Sequence, residues 1–543
     1  MGREDEKGSR TPLGSRQELT RPGRAVRAAG AVLLAVQCSA ALAEDAPRED
    51  APRIDSIEIR PTNVFAPEEA AKSFFPYGLA NVLHYTTRTT FIQKQLLFAP
   101  GDVLRPDLLA ETERNLRAFG LFRKATVRAE GERVVVETAD AWTLLLRGSL
   151  SNKGGVTTYS IGAEEYNLLG TGRQFGFGWE KETDRSSRSV FYADPDLFAP
   201  HTAFRLDASE LSDGRFFRAA LGRPFYALDV RWALEGAVRL SDFDTKLYAG
   251  GEEATVWKEQ ERDLLVTGGR LLARDLDAVL RLVGSVEWND VKLRAGGLGA
   301  PPPGDRSHRT FLFLSAGLAR EGSGWITRRL IDRIDRDEDF NLAPSGRVEL
   351  GFSPPVGEIQ AAGRALLSGS VGTPLPAGFA LATVAASTRL SGGIENATVS
   401  AGARAYALKG PWTLVGNVST LVGWNLDPEN QISLDGETGL RAYRLHAVQG
   451  DRRLVGNVEA RVLVVPEILQ LVSFGLAAFG DAGWSWGPPD GSWHLADAGV
   501  GLRIGITRAS KNSLVRVDVA RVLHPDPLGR TGWLLSFASG QAF

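Results

Sequence analysis

Bulky and small residues alternate along the last eleven residues of the chain, WLLSFASGQAF (533–543). The bulky set has an aromatic residue at each end and consists of Trp533, Leu535, Phe537, Ser539, Gln541 and Phe543. A period of two places the two sets on opposite faces of a β-strand. A soluble sheet would carry polar residues on its outward face. Small residues opposite an aromatic-rich face instead favour a strand with lipid outside and a crowded lumen inside.

The same alternation recurs through residues 142–543. One face of each candidate strand is apolar and the other carries glycine with charges of both signs, as in 173–180, 231–240, 280–288, 499–506 and 514–520. The candidates run for about 9–11 residues, longer than the 5–6 usual in soluble sheets. Trp and Phe stand at strand ends, where an interfacial girdle would lie. The pattern predicts an antiparallel transmembrane β-barrel over residues 141–543, in preference to a soluble β-sandwich or propeller.

The C-terminal part of this region divides clearly into strands. Counting back from the C-terminus gives five, at 453–463, 471–481, 496–507, 513–522 and 533–543. The preceding stretch, 427–451, is too long for an ordinary turn and predicts a large loop. Further upstream, candidate strands outnumber what a regular barrel needs, and 326–340 is the one stretch there with a partly helical pattern.

Residues 1–43 have the features of a secretory signal peptide. Three arginines precede an apolar run that ends in Ala41-Leu42-Ala43, a small-residue cleavage site. Cys38 is the only cysteine and lies inside this segment. The mature chain is therefore expected to have neither disulfides nor thiolate sites. A Pro- and acid-rich linker, 44–53, follows.

Residues 54–140 have a mixed pattern and predict a small α+β domain. Segment 54–60 alternates as a strand, and 91–98 predicts a short helix. Segment 105–120 predicts a longer helix, with proline in its first turn and glycine at its end. A hairpin centred on Gly131 completes the order strand, helix, helix, strand, strand.

This order and wording resemble a POTRA domain. The stretch LLFAPGDVLRPDLLAETERNLRAFGLFRKATVRAEGERVVVETAD (96–140) follows the recurrent pattern of that family, and 80–95 resembles the approach to the final POTRA domain of outer-membrane assembly proteins. The resemblance covers about 60 residues. It implies a domain in the periplasm that binds unfolded client proteins or periplasmic partner proteins by adding a strand at an exposed sheet edge.

The end of the chain resembles the barrels of the bacterial surface antigen (outer-membrane assembly factor) superfamily. A long loop, five strands and a terminal aromatic are typical of that family, whose sixth extracellular loop folds into the lumen with an Arg-Gly-aromatic motif. Arg441 and Tyr443 match the motif, whereas Ala442 departs from its glycine. The resemblance implies about sixteen strands. It also implies a C-terminal targeting and seam strand, represented by Trp533, Leu535, Phe537 and Phe543, that closes against a first strand near 142–150.

Two acidic residues on the predicted barrel wall are candidate partners of Arg441. Alternation places Asp481 on the same face as Ser473, Gly475 and Ala477, so it points into the lumen, and Glu459 points inward by the same count. With the loop folded inside, as the resemblance implies, Arg441 is expected to donate hydrogen bonds to Asp481 with Glu459 nearby. The alternative is a solvated Arg441 and an Asp481 that belongs to a ladder of lumen charges.

Nothing in the sequence indicates an enzyme, a cofactor or a metal site. The six histidines lack metal-ligand spacing, GTGRQFG (170–176) lacks a following helix and predicts a turn, and no Gly-x-Ser-x-Gly motif is present. The mixed charges of 328–339 favour a solvated extracellular loop over a calcium site. The net charge of −2 gives no nucleic-acid footprint.

The expected protein is therefore a barrel in the bacterial outer membrane, in contact with its lipid, with one POTRA domain in the periplasm. By resemblance, it assists the insertion or translocation of other proteins at that membrane. The alternative is a diffusion channel or transporter with a periplasmic docking domain. A surface adhesin is disfavoured because no extra domain remains.

Overall fold

The structure, a computed structural model, describes residues 52–72, 77–153, 156–334, 336–510 and 514–542. The predicted signal peptide, most of the predicted linker and the terminal Phe543 lie outside the described residues.

A three-stranded mixed sheet precedes the barrel strands. It consists of β1 (Ser56–Thr62), β2 (Phe122–Glu130) and β3 (Arg133–Asp140) in the order β1-β3-β2. β1 pairs with β3 in parallel, and β2 pairs with β3 in antiparallel fashion. Among the described residues, no further strand pairs with the outer edge of β2.

Four helices of the described residues accompany this sheet: α1 (Pro67–Lys72), α2 (Tyr77–Leu83), α3 (Thr89–Lys94) and α4 (Pro106–Ala118). α4 begins at the proline expected there and buries Leu108, Leu109, Thr112 and Leu116 against the sheet. The predicted order of strand, two helices and two strands is present, with α3 and α4 as the helices. The sequence analysis assigned no element to residues 67–83, where α1 and α2 lie.

Twenty strands of the described residues form a closed antiparallel barrel. They are β4 (Leu144–Lys153), β5 (Val156–Leu168), β6 (Arg173–Lys181), β7 (Ser186–Asp194), β8 (Ala203–Leu211), β9 (Gly214–Arg223), β10 (Trp232–Ala249), β11 (Glu252–Arg274), β12 (Ala278–Leu298), β13 (His308–Gly322), β16 (Ser345–Ser353), β17 (Ala362–Leu375), β18 (Gly378–Leu390), β19 (Ile394–Lys409), β20 (Trp412–Trp424), β23 (Arg452–Ile468), β24 (Val472–Trp486), β25 (Trp493–Ile506), β26 (Leu514–Val522) and β27 (Gly532–Ser539). Two small hairpins lie in connections, β14 (Trp325–Arg328) with β15 (Glu338–Asn341) and β21 (Ile432–Leu434) with β22 (Val448–Gly450).

The predicted fold class is confirmed, but the number of strands is twenty and not about sixteen. The region upstream of the last five strands does contain more strands than a sixteen-stranded barrel needs. Several connections are only two or three residues long, such as 212–213, 250–251 and 376–377, so the region accommodates more strands than the family's count implied. The five C-terminal strands agree with the sequence-based count.

The outer face of the barrel is apolar. Bulky side chains stand exposed on strands all around it, among them Phe177, Trp179, Leu234, Val266, Leu282, Leu314, Leu350, Leu414, Leu476 and Leu535. β20 begins at Trp412 and ends at Trp424, both exposed. The steps between them, at about 3.3 Å each and a tilt of about 40–45°, separate the two rings in depth by about 28–30 Å, the thickness of a hydrocarbon layer. The barrel is therefore a membrane-spanning one.

No helix among the described residues is both long enough and apolar enough to cross a membrane.

The two mouths of the barrel differ. Because the number of strands is even, the first barrel strand begins and the last one ends at the same mouth. The small domain precedes the first strand, so we call this the domain-side mouth. Loop 425–451 belongs to the opposite mouth, and connection 323–344 belongs to the domain-side mouth. The latter corrects the prediction for 328–339. The stretch is neither an opposite-mouth loop nor a helix, and Ile331 within it is fully buried.

Two buried titratable groups lie where the small domain meets the barrel. His84 Nδ1 is 2.9 Å from Asn63 Oδ1 and 4.0 Å from Asp140 Oδ2. Asp140 accepts a hydrogen bond from the N–H of Thr87 at 2.6 Å. Burial lowers the pKa of His84 to about 4 and raises the pKa of Asp140 to about 7. Both groups are therefore neutral in the folded domain over the acidic range.

Replacing Asp140 with Asn should make domain stability depend visibly on pH. The Asp140 contribution is lost as pH rises from 3.8 through about 7, whereas the His84 contribution is lost as pH falls from 6.5 through about 4. In the native protein the two slopes oppose each other. In Asp140→Asn, His84 is the one member of this pair that still titrates. Its contribution to the free energy of unfolding should rise by about 1.4 kcal/mol per pH unit between about pH 4 and 6.5. Hydrogen exchange of buried amides in the full chain measures this, and a flat profile for Asp140→Asn would contradict it.

The closed barrel should resist sodium dodecyl sulfate until it is heated, because its backbone groups are paired between strands. Unheated and boiled samples are expected to migrate differently in gel electrophoresis. Equal migration, together with extraction as a compact monomer without detergent, would contradict a membrane-spanning barrel.

Candidate functional site: a charged cluster in the lumen

Loop 425–451 packs against the inner wall of the barrel. Its two short strands, β21 and β22, pair with each other. Its apolar side chains form a buried cluster with two wall residues, made up of Leu434, Leu440, Tyr443, Ala447, Val448, Val455 and Leu495. The loop is therefore part of the lumen contents.

Arg441 in this loop is buried against β23 and β24. Its Nε donates to Asp481 Oδ2 at 2.8 Å, and its Nη2 donates to Asp481 Oδ1 at 3.0 Å. Nη1 donates to Glu459. The guanidinium carbon also lies 3.4 Å from the centre of the Phe479 ring. The structure thus brings together the three residues that the sequence pairs, in the two-bond geometry that suits a planar guanidinium.

Glu459 is shared by three arginines. While Oε2 accepts from Arg441, Oε1 accepts from Arg461 Nε at 2.7 Å and from Arg503 Nη2 at 3.0 Å. Arg503 continues to Asp518 on β26 at 2.6 Å. The Glu459 side chain has no exposed area. Four neighbouring strands, β23 to β26, therefore contribute to one buried ionic cluster.

The sequence did not single out Arg461, Arg503 and Asp518. The signal for them was present, because each lies at an inward position of its own strand. Gly501 makes room for two of them: a Cβ there would collide with the carboxylate of Asp518 and the guanidinium of Arg503. Charges on inward positions of adjacent strands, next to glycine, would have identified the cluster.

The Ala442 departure from the family motif is tolerated by the backbone. Ala442 does not have a positive φ, whereas Gly439, three residues earlier, has a φ of 110°. The N–H of Ala442 donates to Asp497 Oδ2 at 3.3 Å. Tyr443 anchors the other side of the loop tip, since its hydroxyl lies 2.8 Å from the carbonyl oxygen of Ala496. The tip is fixed without a glycine at position 442.

The predicted seam residues face outward from the last strand. Trp533, Leu535 and Phe537 are exposed on β27, which lies beside β4 in the closed barrel. Phe543 lies outside the described residues.

The cluster is suited to holding the loop in place, because it ties the loop residue Arg441 to two strands of the wall. Its acids are neutralised by arginines. Among the described residues, no group of His, Cys, Asp and Glu is arranged to hold a metal ion.

Comparisons with known proteins give a distant likeness in fold. No protein-family model matches the sequence, and no curated protein matches it. Among solved structures, BamA from Haemophilus ducreyi lacking POTRA domains 1–3 aligns over 90% of this chain and 84% of its own, at 12% identity and a TM-score of 0.38.

Two CdiB structures align similarly. CdiB from Escherichia coli matches 90% of this chain and 77% of its own, at 14% identity and a TM-score of 0.44. CdiB from Acinetobacter baumannii matches 90% and 74%, at 12% identity and a TM-score of 0.41. The likeness is one of fold. Independently of it, the structure has the architecture that the family resemblance implies, a small mixed domain followed by a closed barrel with a loop folded inside.

A double-mutant cycle on Arg441 and Asp481 should reveal strong coupling. Removing one partner leaves a buried charge without its counterpart, which costs about 3–5 kcal/mol. Arg441→Ala and Asp481→Ala should each destabilise the barrel, and the double variant should be less unstable than the sum. The measurement is the free energy of barrel unfolding in detergent.

The matched control is the exposed pair Arg188 and Glu210, whose side chains are 76% and 74% exposed. The same cycle there should give a coupling of about 0–1 kcal/mol. Additive effects at Arg441 and Asp481 would show that the buried contact does not matter for stability.

Proposed function

We propose that this chain is an outer-membrane member of the bacterial surface antigen superfamily that assists the insertion or translocation of other proteins. The observation that carries the proposal is the position of an open-edged sheet beside the domain-side mouth of a barrel whose lumen holds loop 425–451. Such an edge accepts an additional strand from an extended chain. The membrane-spanning barrel supplies the route into or across the lipid.

A groove beside the open edge adds to this support. A cavity of about 460 Å³ lies between α4, the outer part of β2 and hairpin β14–β15. Its lining mixes apolar and charged groups, among them Leu109, Arg114, Val127 and Trp325. Alternate side chains of an added strand would enter such a groove while its backbone pairs with β2.

Direct contacts hold the small domain at this mouth. The N–H of Trp142 donates to the Arg508 carbonyl at 2.6 Å, and the N–H of Ser510 donates to the Trp142 carbonyl at 2.8 Å. On another connection, the N–H of Arg88 donates to the Gly170 carbonyl at 2.8 Å. A client held on β2 would therefore already be next to the barrel.

The closure between β27 and β4 is the second element of the proposed route. β27 has eight residues and β4 has ten, against 23 for β11. Short strands have few hydrogen bonds to break. An opened closure would present two unpaired edges to an incoming strand.

Photo-crosslinking from the β2 edge tests the function. A photoreactive residue at Ala129, which is exposed on β2, should trap unfolded outer-membrane proteins in living cells. The matched control is the same residue at Glu132, which is exposed in the β2–β3 turn and away from the edge, where no such trapping is expected.

The alternative function, a diffusion channel or transporter, predicts the opposite outcome of this experiment. Absence of trapped client at Ala129, combined with high ion conductance of the purified barrel in planar bilayers, would favour it over the assembly function.

A further inference from the structure

The connection between β13 and β16 crosses the domain-side mouth of the lumen. Its residues 325–334 and 336–341, called the plug here, begin beside β13 and reach the opposite wall. There the carbonyl of Ile331 accepts from Arg461 at 2.8 Å, and the carbonyl of Leu330 accepts from the Thr413 hydroxyl at 3.0 Å. Arg336 donates to the carbonyls of Ser510 and Ala509 in the β25–β26 connection. The plug therefore spans the mouth from wall to wall.

Apolar contacts seat the plug against the inner wall. Ile331 of the plug and Leu342, which directly follows it, belong to a buried cluster with the inward side chains of three strands, Phe379 on β18, Tyr406 on β19 and Val415 on β20. A Cβ added to Gly505 on β25 would lie 2.9 Å from Ile334 Cβ, so the plug also touches the wall there.

The plug keeps its own shape through internal hydrogen bonds. β14 and β15 pair over four residues each. The Glu338 carboxylate accepts from the N–H groups of Ile331, Asp332 and Arg333 at 3.1–3.3 Å. The segment that joins β13 to the plug is Gly322-Ser323-Gly324, and its two glycines permit a wide range of backbone conformations. These internal bonds do not involve the wall, so the plug can keep its shape when the bonds from Thr413 and Arg461 to its carbonyls are exchanged for water.

The plug is also tied to the small domain. Asp339 on β15 accepts two hydrogen bonds from Arg117 on α4, at 2.7 Å and 2.9 Å. The guanidinium of Arg114, one turn earlier, lies over the Trp325 ring at 5.2 Å. The Arg117 and Asp339 side chains are 16% and 12% exposed, so this ion pair is largely shielded from solvent.

The same ion pair is connected to the open edge of β2. Arg117 also donates to Glu113, and Glu113 accepts from the N–H of Val127 on β2 at 2.9 Å. An amide of an edge strand that bonds to a side chain is one that an added strand would claim. Pairing at the edge would take this amide from Glu113 and change the contacts of Arg117.

We propose that the plug is a removable stopper of the lumen, latched by the Arg117–Asp339 pair and released when an extended strand pairs with β2. Release by a client rests on the proposed function, whereas the plug and its latch do not. The released state would open the lumen to the domain side, next to the bound client.

Thiol accessibility in the full chain tests the proposal. Thr413 is 3% exposed beneath the plug, and the chain's only cysteine, Cys38, can be replaced by Ser. In a Cys38→Ser, Thr413→Cys background, Asp339→Ala should raise the rate of labelling by a membrane-impermeant maleimide at least about tenfold, equivalent to about 1.4 kcal/mol of latch free energy. Arg117→Lys, which loses the two-bond fork, should give a smaller increase.

Two controls separate plug release from general loosening. Arg133→Ala removes two exposed ion pairs of the same domain, with Glu58 and Glu130, and should leave the labelling rate unchanged. A thiol introduced by Ser485→Cys, at a fully buried position near the opposite mouth, should stay protected when Asp339→Ala is added. The proposal is overturned if heat-modifiable, folded Asp339→Ala labels the thiol at position 413 within about twofold of the parent, or if the thiol at position 485 becomes equally reactive.

Release by a client is tested with a peptide of the sequence GWLLSFASGQAF, which copies residues 532–543 and so includes β27. It should accelerate labelling of the Thr413→Cys thiol when Arg117 and Asp339 are both intact, and a scrambled peptide should not. If Asp339→Ala accelerates labelling but the peptide does not, release by strand pairing is overturned. The plug and its Arg117–Asp339 latch would still stand. Absence of crosslinks at Ala129 would instead count against the proposed function.

Discussion

The carboxylate of Glu459 is the contact on which the lumen depends. A fully buried carboxylate is costly by itself, and it is stable here because three guanidinium groups surround it. Each arginine arrives from a different part of the molecule: Arg441 from the loop, Arg461 from β23 and Arg503 from β25. The dependence is mutual, because Arg441 and Arg503 also pair with Asp481 and Asp518, and loss of Glu459 would leave three buried guanidinium groups facing these two carboxylates. The loop and the wall therefore form one ionic unit.

Arg461 extends this unit to the domain-side mouth. One of its nitrogens bonds Glu459 and another bonds the carbonyl of Ile331 in the plug. The loop from one mouth and the plug from the other are thus connected through two side chains, Glu459 and Arg461. Displacement of either segment therefore changes the electrostatic surroundings of the other.

Features with a local signature were predictable from the sequence. The period-two pattern gave the barrel and the orientation of Asp481, because a strand alternates whatever it pairs with. Counting from the C-terminus also placed the long loop correctly before the last five strands. With twenty strands, that loop is the eighth connection at its mouth and not the sixth, so only the count from the C-terminus was transferable.

The remaining features depend on distant contacts. The number of strands follows from closure of the whole sheet, which no local pattern encodes. The plug has mixed charges that are typical of a solvated loop, and its partners lie far along the chain: Arg461 is 130 residues from Ile331, and Ser510 is 174 residues from Arg336. Its burial follows only from the closed barrel, which brings these distant partners into contact with it.

The uneven lengths of the strands have a consequence for the surrounding lipid. The eight residues of β27, at about 3.3 Å each and a tilt of about 40°, cover about 20 Å of depth, against about 30 Å for an ordinary hydrocarbon layer. Strands β6 to β9 and β26, which lie on either side of the closure, have only nine or ten residues. Acyl chains beside them must shorten or splay to avoid exposing hydrocarbon to water. We therefore expect the bilayer to be thinned, with its headgroups closer together across the membrane, along the flank where the barrel closes.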